Sequence, residues 1–340
     1  MKSPLLISTK PLRCYNPKQI ILTRGLTPPA RLKKKHPEMT KQFGRYRTKI
    51  ISALCTPLNE DESLNAESLA MHIEDQVQAG FAGLLVGGSM GLMQLLCDQT
   101  YRDLIEQGVR ANNGRLEMLV GVGDTSFART RDRIDYVQQF KIDGIVVLTP
   151  SWWKFSKDEL IQYFTDLANY ASKPIYLYDL PGLTGVSIDV EMMQTLADHP
   201  NIAGIKCSGA WQGTRQLMGA MAGRVRVIPA QPLMMDQLIR LGVEDNLDGI
   251  YSIFPELTVK IIEAAESNQW AEAEQLTHEL SELLLVLISY RVMPAALAIL
   301  NARGIYSATT PRPVNPLSKE KQEKLLKEPA IAKYLGKFNG

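Results

Sequence analysis

The 340-residue chain is short of the residues that build metal centres and disulfide frameworks. Its four cysteines, Cys14, Cys55, Cys97 and Cys207, include no CxxC pair. Its four histidines, His36, His72, His199 and His278, stand singly. Neither set has ligand spacing, so no metal site and no disulfide framework is expected. Free thiols point to a reducing compartment, and a cytoplasmic location is the expectation. No apolar run approaches the ~18–20 residues of a membrane helix, so no membrane partner is expected. No strand-like run leads into GxxxxGK(S/T) or a full GxGxxG; Gly121-Val122-Gly123 lacks the third glycine. What is there is ordinary for a globular protein: hydrophobic residues make up 45% and charged residues 22%.

Charge is unevenly placed. Residues 1–49 hold thirteen Lys or Arg and one acid, Glu38, whereas the rest holds 25 basic and 35 acidic residues. The acidic body is a poor nucleic-acid binder, and no nucleic-acid partner is expected. Residues 1–45 are read as a basic, disordered extension outside the fold. Three readings of it stay open: an organelle-targeting segment, a basic tail for an anionic surface, or a start placed too early, with Met39 just before the first organised segment.

From residue 46 a beat sets in. Short apolar runs fall at 50–55, 83–86, 117–122, 144–148, 174–178, 202–206, 225–228 and 249–253, each followed by an amphipathic stretch. Tyr101, Leu104, Ile105, Gly108 and Val109 share one helical face, with Asn113-Gly114 as the stop. Ser156 and Glu159 form a capping-box pattern ahead of Leu160, Phe164, Leu167 and Ala171. Most of the strand runs are continuously apolar, as parallel strands covered on both faces should be. Eight such units predict an α/β fold, a (β/α)8 TIM barrel over residues 46–266. The remainder, 267–340, predicts a C-terminal helical appendage with helices over 271–290, 294–303 and 319–336. A doubly wound open sheet is the alternative.

In such a barrel chemistry sits where strands end. Lys206 ends the sixth run. It is either a lysine snorkelling past the strand end or a Schiff-base nucleophile, since apolar surroundings favour the neutral amine. Tyr178 ends the fifth run and leads into Asp179-Leu180-Pro181-Gly182-Leu183-Thr184-Gly185. It is either core packing or a proton shuttle for an imine lysine. Gly87-Gly88-Ser89-Met90-Gly91 follows the second run, as a tight turn or as backbone N–H groups converging on an anion.

Together, Gly88-Ser89-Met90-Gly91, the segment from Tyr178 to Gly185, and Gly204-Ile205-Lys206 resemble the GxxGE, YNxPxxTG and GxK motifs of one family. That family is the pyruvate-dependent class I aldolases and lyases, the dihydrodipicolinate synthase and N-acetylneuraminate lyase family. The resemblance covers about residues 48–310, beginning with Thr56-Pro57, and spaces Tyr178 and Lys206 as the family does. It implies that Lys206 attacks C2 of a 2-oxo acid to form an imine, with no other cofactor. Tyr178 would be the general acid and base, and Ser89 a proton relay. Gly88, Ser89 and Met90 would hold the substrate carboxylate. Trp152, Leu183, Ser208 and Ser252 would line the pocket, Tyr251 beside Ser252. The implied partners are the 2-oxo acid, an aldehyde and further copies of the chain, as a homotetramer or dimer.

The departures narrow the expectation. Leu92 replaces the loop's Glu, Met90 its second hydroxyl residue, and Asp179 the Asn of the tyrosine motif. Ser151-Trp152 stands for the family's tyrosine pair, with Trp153 next, and indole cannot relay protons. Leu183 occupies the place where the synthase carries Arg, and Ala230-Gln231-Pro232 lacks the lyase branch's acids. The expected activity is a class I aldolase or lyase that is not a dihydrodipicolinate synthase. A hydratase-aldolase or dehydratase with an apolar or aromatic partner is the alternative, and a non-catalytic metabolite-binding barrel the other. Trp152 and Trp153 could also be core or interface contacts. Cys207 should face away from Lys206 by strand alternation.

Overall fold

The computed structural model describes residues 43–335. The basic extension and its three readings therefore lie almost wholly outside the described residues. From Lys49 to Glu266, strands and helices alternate. The strands are β1 (Lys49–Ala53), β2 (Gly83–Val86), β3 (Glu117–Gly121), β4 (Gly144–Leu148), β5 (Ile175–Asp179), β6 (Ile202–Cys207), β7 (Arg226–Pro229) and β8 (Asp245–Asp248). The helices among them are α1 (Ala66–Gln78), α2 (Asp98–Asn112), α3 (Phe127–Val137), α4 (Lys157–Tyr170), α5 (Pro181–Thr184), α6 (Val190–Leu196), α7 (Trp211–Ala220), α8 (Met235–Arg240), α9 (Ile250–Ile253) and α10 (Pro255–Glu266). Beyond them lie α11 (Trp270–Ser289), α12 (Val292–Ala302), α13 (Lys319–Leu326) and α14 (Pro329–Leu335).

Every strand pair is parallel, in the order β7-β6-β5-β4-β3-β2-β1-β8. The ladder stops at β7 and β8, which touch and nearly close the barrel. Arg226 of β7 bridges that seam, 2.6 Å from Asp245 of β8 and 2.5 Å from Glu117 of β3. The predicted (β/α)8 barrel with C-terminal helices is the observed fold, and the open sheet is excluded. Alternation sorts the strand residues. Ile51, Ala53, Leu85, Leu119, Val146, Tyr176, Tyr178, Ile228 and Leu247 fill the interior, while Ile50, Leu84, Ile145, Leu177 and Cys207 face the helices.

Local signals read from the sequence have their physical counterparts. Ser156 caps α4 in a reciprocal capping box with Glu159. Asn113 ends α2 in the left-handed region. Two readings need correction. The eighth strand is Asp245–Asp248, not 249–253. Its polar residues are poor strand formers, but each has a fixed partner opposite it on β1. The apolar run 250–253 is instead the helical turn α9, packed into the outer layer, and a short apolar run does not by itself separate strand from helix. The helix expected over 319–336 is two, α13 and α14, because Pro329 disfavours a helical residue before it.

Among the described residues no single helix is long and apolar enough to cross a membrane. They also contain no cluster of His, Cys, Asp and Glu that could hold a metal ion.

Candidate active site

The register of β5 on β6 sets Tyr178 directly beside Lys206. Both side chains are 4% exposed. Lys206 Nζ donates to Tyr178 Oη at 2.8 Å and lies 4.0 Å from the ring centroid. Tyr178 Oη is also 3.0 Å from Ser89 Oγ. Since the amine donates into the phenol oxygen, the phenol proton is free to point at Ser89. The result is a continuous chain from amine through phenol to hydroxyl, in the low-dielectric end of a barrel.

Sequence chemistry explains why the chain can form. Gly204 lies one layer below Lys206. A Cβ there would come 2.4 Å from the Arg226 carbonyl oxygen and 2.7 Å from Cδ1 of Tyr176, so only glycine lets β7 and that ring pack so closely against β6. Tyr176 thus floors the site and keeps Lys206 above it. The loop after β2 is tied by a turn, with Gly91 N–H on the Gly88 carbonyl and Leu92 N–H on that of Ser89. Thr56 after β1 donates its hydroxyl to the Gly91 carbonyl at 2.8 Å. No described group accepts from the backbone N–H of Ser89 or Met90, leaving both for an anion.

Asp179, where the motif carries Asn, is buried and structural. Its Oδ1 accepts from Ile188 N–H at 2.9 Å and from Ser187 Oγ at 3.1 Å, pinning the chain after α5. Burial raises its carboxyl above the usual range, against the pull of those donors. Cys207 faces the helix layer, and burial pushes its thiol up to about 12. It is a packing thiol.

The other sequence candidates fall into two groups. Gly88 and Met90 flank Ser89 in the loop, and Ser208 follows Lys206 half-buried, its N–H on the Asp179 carbonyl. Trp152 and Leu183 stand on the rim, after β4 and on α5, with 83% and 68% exposure; Trp153 is 72% exposed. That exposure excludes the core alternative for both tryptophans. Ser252 departs from expectation. It lies fully buried in α9, its hydroxyl spent on the Gly249 carbonyl and its own carbonyl accepting from Gln76. Its neighbour Tyr251 is fully buried in the outer layer. Neither sits at a strand end, because the strand ends at Asp248, before α9 begins.

Placing β8 correctly brings in a group the sequence reading passed over. Asp248 is the last residue of that strand, at the mouth of the barrel. Burial holds its carboxyl above the ordinary carboxylate range, while the charge of Lys206 pulls it down. The available signal was an acid closing a strand-length segment, hidden by the apolar run after it.

Comparison with known proteins gives the context of this geometry. The model of the dihydrodipicolinate synthetase family matches residues 47–330. A 4-hydroxy-tetrahydrodipicolinate synthase from an Exiguobacterium species is 28% identical over 281 residues, 82% of this chain and 96% of that protein. An N-acetylneuraminate lyase from Rhizobium meliloti is 27% identical over 267 residues, 78% of this chain and 88% of its own. The crystal structure of a dihydrodipicolinate synthase from Acinetobacter baumannii complexed with pyruvate superposes with a TM-score of 0.76 at 23% identity, covering 86% of this chain and 99% of that one.

Proposed function

Because the chain belongs to the dihydrodipicolinate synthetase family, whose members are lyases, we propose that it is a Schiff-base class I aldolase or lyase acting on a 2-oxo acid. The observation that carries this is the hydrogen-bonded chain Lys206–Tyr178–Ser89 inside the barrel mouth. The substrate carboxylate sits on the free N–H groups of Ser89 and Met90, which brings C2 to Lys206 Nζ. The amine adds to C2, and a proton from its nitrogen passes to the former carbonyl oxygen to give the carbinolamine. The carbinolamine oxygen takes a proton from Tyr178 and leaves as water, and the imine nitrogen keeps the bond to Lys206. The cationic imine then accepts the electron pair released when a bond at C3 breaks. Tyr178, left as the phenolate, takes the proton of the C4 hydroxyl as the C3–C4 bond breaks and the aldehyde forms. It then gives that proton to C3, with Ser89 as the relay, and water adds back at C2 to release the 2-oxo acid from Lys206. No metal or redox cofactor enters these steps. The substrate is pyruvate or a 2-keto-3-deoxy sugar acid, and the working unit is a homotetramer or dimer.

Two features favour a partner other than that of dihydrodipicolinate synthase. No basic side chain occupies the place of Leu183 to bind a second carboxylate, and no tyrosine stands at Trp152. The exposed Trp152, Trp153 and Leu183 at the rim favour an apolar or aromatic aldehyde, and with it hydratase-aldolase chemistry. A non-catalytic barrel would have no use for a lysine buried against a phenol, which is costly unless it works.

Incubation with pyruvate and borohydride, digestion and mass spectrometry test the reading. A reduced pyruvate adduct on Lys206 is expected, and Lys206→Ala abolishes it. Absence of any adduct with pyruvate and longer 2-oxo acids would move the protein to the binding class. An adduct on another lysine would refute the placement of the site.

A further inference from the structure

The end of β8 carries a second constraint, separate from the imine chain. Gly249 follows Asp248 directly. A Cβ at Gly249 would fall on Cγ of Met90, within 2.5 Å of its Sδ and 2.9 Å of its Cε. Real side-chain carbons do not approach that closely, so Met90 in this position requires glycine at 249. The two residues come from distant elements. Met90 sits in the loop after β2, and β1 lies between β2 and β8 in the barrel. The thioether therefore crosses above the end of β1 to rest on bare backbone. It packs at once on the interior cluster that holds Tyr178 and on the outer cluster that holds Ile250 and Tyr251.

We propose that the Met90–Gly249 contact is a built wall of the substrate pocket that limits what the 2-oxo acid carries beyond C3. The inference rests on the imine reading above. With the carboxylate on the loop N–H groups and C2 at Lys206, the rest of the substrate must leave through the barrel mouth. Met90 fills the arc over β1 and β8 with an apolar side chain that donates no hydrogen bond and accepts only weakly. Met90 offers a polyhydroxylated tail no partner on that face, where Asp248 is the polar group at the strand end. The arc left to the tail is that of the loops from β3 to β7, among which Trp152 and Leu183 stand. The same wall sits against Ser89 in sequence, so its position is fixed by the loop that binds the carboxylate.

The test compares four proteins: wild type, Met90→Ala, Gly249→Ala and the double variant. Each is trapped with borohydride on pyruvate and, separately, on unbranched 2-oxo acids of four, five and six carbons. The readout is the trapping rate of each longer acid relative to pyruvate. One methylene in an apolar pocket changes selectivity by roughly 10–200-fold. Met90→Ala is therefore expected to raise the six-carbon ratio at least about tenfold. Gly249→Ala is expected to slow pyruvate trapping by a similar factor, and the double variant to recover it. An unchanged chain-length ratio in Met90→Ala would overturn the proposal, with pyruvate trapping in the wild type showing that the imine reading itself stands. Failure of the double variant to rescue Gly249→Ala would overturn it too. If Gly249→Ala does not fold, the Met90→Ala ratio decides alone. A wild type that traps no 2-oxo acid would sink both readings together.

Discussion

Tyr178 is held by two hydrogen bonds, one from Lys206 and one shared with Ser89, and by its packing in the barrel interior. Removing the hydroxyl leaves the ring in place and cuts the chain at its middle. Tyr178→Phe should therefore lower turnover, or the rate of pyruvate trapping, by about 10²–10⁴-fold, the usual worth of a positioned general acid–base group. The adduct should still form on Lys206, only slowly, which a time course of peptide mass spectra would display. Loss of trapping without any residual adduct would mean that Tyr178 orients the lysine rather than moving protons. At this scale the sequence was informative where a residue type has one use. A lysine ending an apolar strand and a tyrosine at fixed spacing were readable. Gly204 was readable as part of a motif, but its reason, the close approach of the Arg226 carbonyl and the Tyr176 ring, depends on the two neighbouring strands, which no local pattern reveals.

Among the elements, β8 and α1 show how burial overrides local pattern. The eighth strand is written in Asp, Asn, Leu and Asp, and it exists because β1 offers it a ladder. The apolar residues that follow belong to the helix layer, so periodicity pointed to the wrong segment and carried Ser252 and Tyr251 into the pocket with it. Most of the other strands were legible because burial on both faces leaves largely apolar runs, β7 with its Arg226 being the weakest of them. In α1, His72 is fully buried with no hydrogen-bond partner on either ring nitrogen. Burial, helped by the charge of Arg303, pushes its pKa down to about 3. The unfolded chain binds a proton at this histidine below about pH 6.5 while the folded chain stays neutral. Stability from this residue is thus complete above about pH 6.5 and is lost as pH falls toward 3, by up to about 1.4 kcal/mol per pH unit. His72→Leu should remove about one proton from the pH dependence of urea unfolding in that window. Identical slopes for the two proteins between pH 6.5 and 4 would contradict the burial argument.

For the whole molecule, one arginine ties the C-terminal helices to the barrel. Arg303 follows α12, and its side chain, 3% exposed, pairs with Asp75 of α1 at 2.8 Å and with Glu256 of α10 at 2.9 Å. Partial burial raises the Asp75 carboxyl and Arg303 draws it back, so deleting the guanidinium strands a half-buried acid. Arg303→Ala should cost about 2–3 kcal/mol, less than the 3–5 of a fully enclosed pair because Glu256 stays in contact with water. Chemical denaturation would measure it, and Asp75→Asn in the same chain should return part of the loss. A variant as stable as the parent would mean that apolar packing and the other ties, such as Leu58 to Ser307 and Ala308, fasten the appendage without it. The helical character of this region was visible in the sequence. Its attachment was not, since Asp75 and Arg303 are 228 positions apart.

The exposed pair Trp152 and Trp153 gives the protein an optical reporter at the mouth of its barrel. They are two of its four tryptophans, so one short loop carries half of the indoles. Iodide in solution should quench that share, and an aromatic aldehyde seated beside the loop, or a second copy packed over it, should shield it and move the emission to shorter wavelength. Occupancy of the mouth can thus be followed in the unmodified protein by light alone.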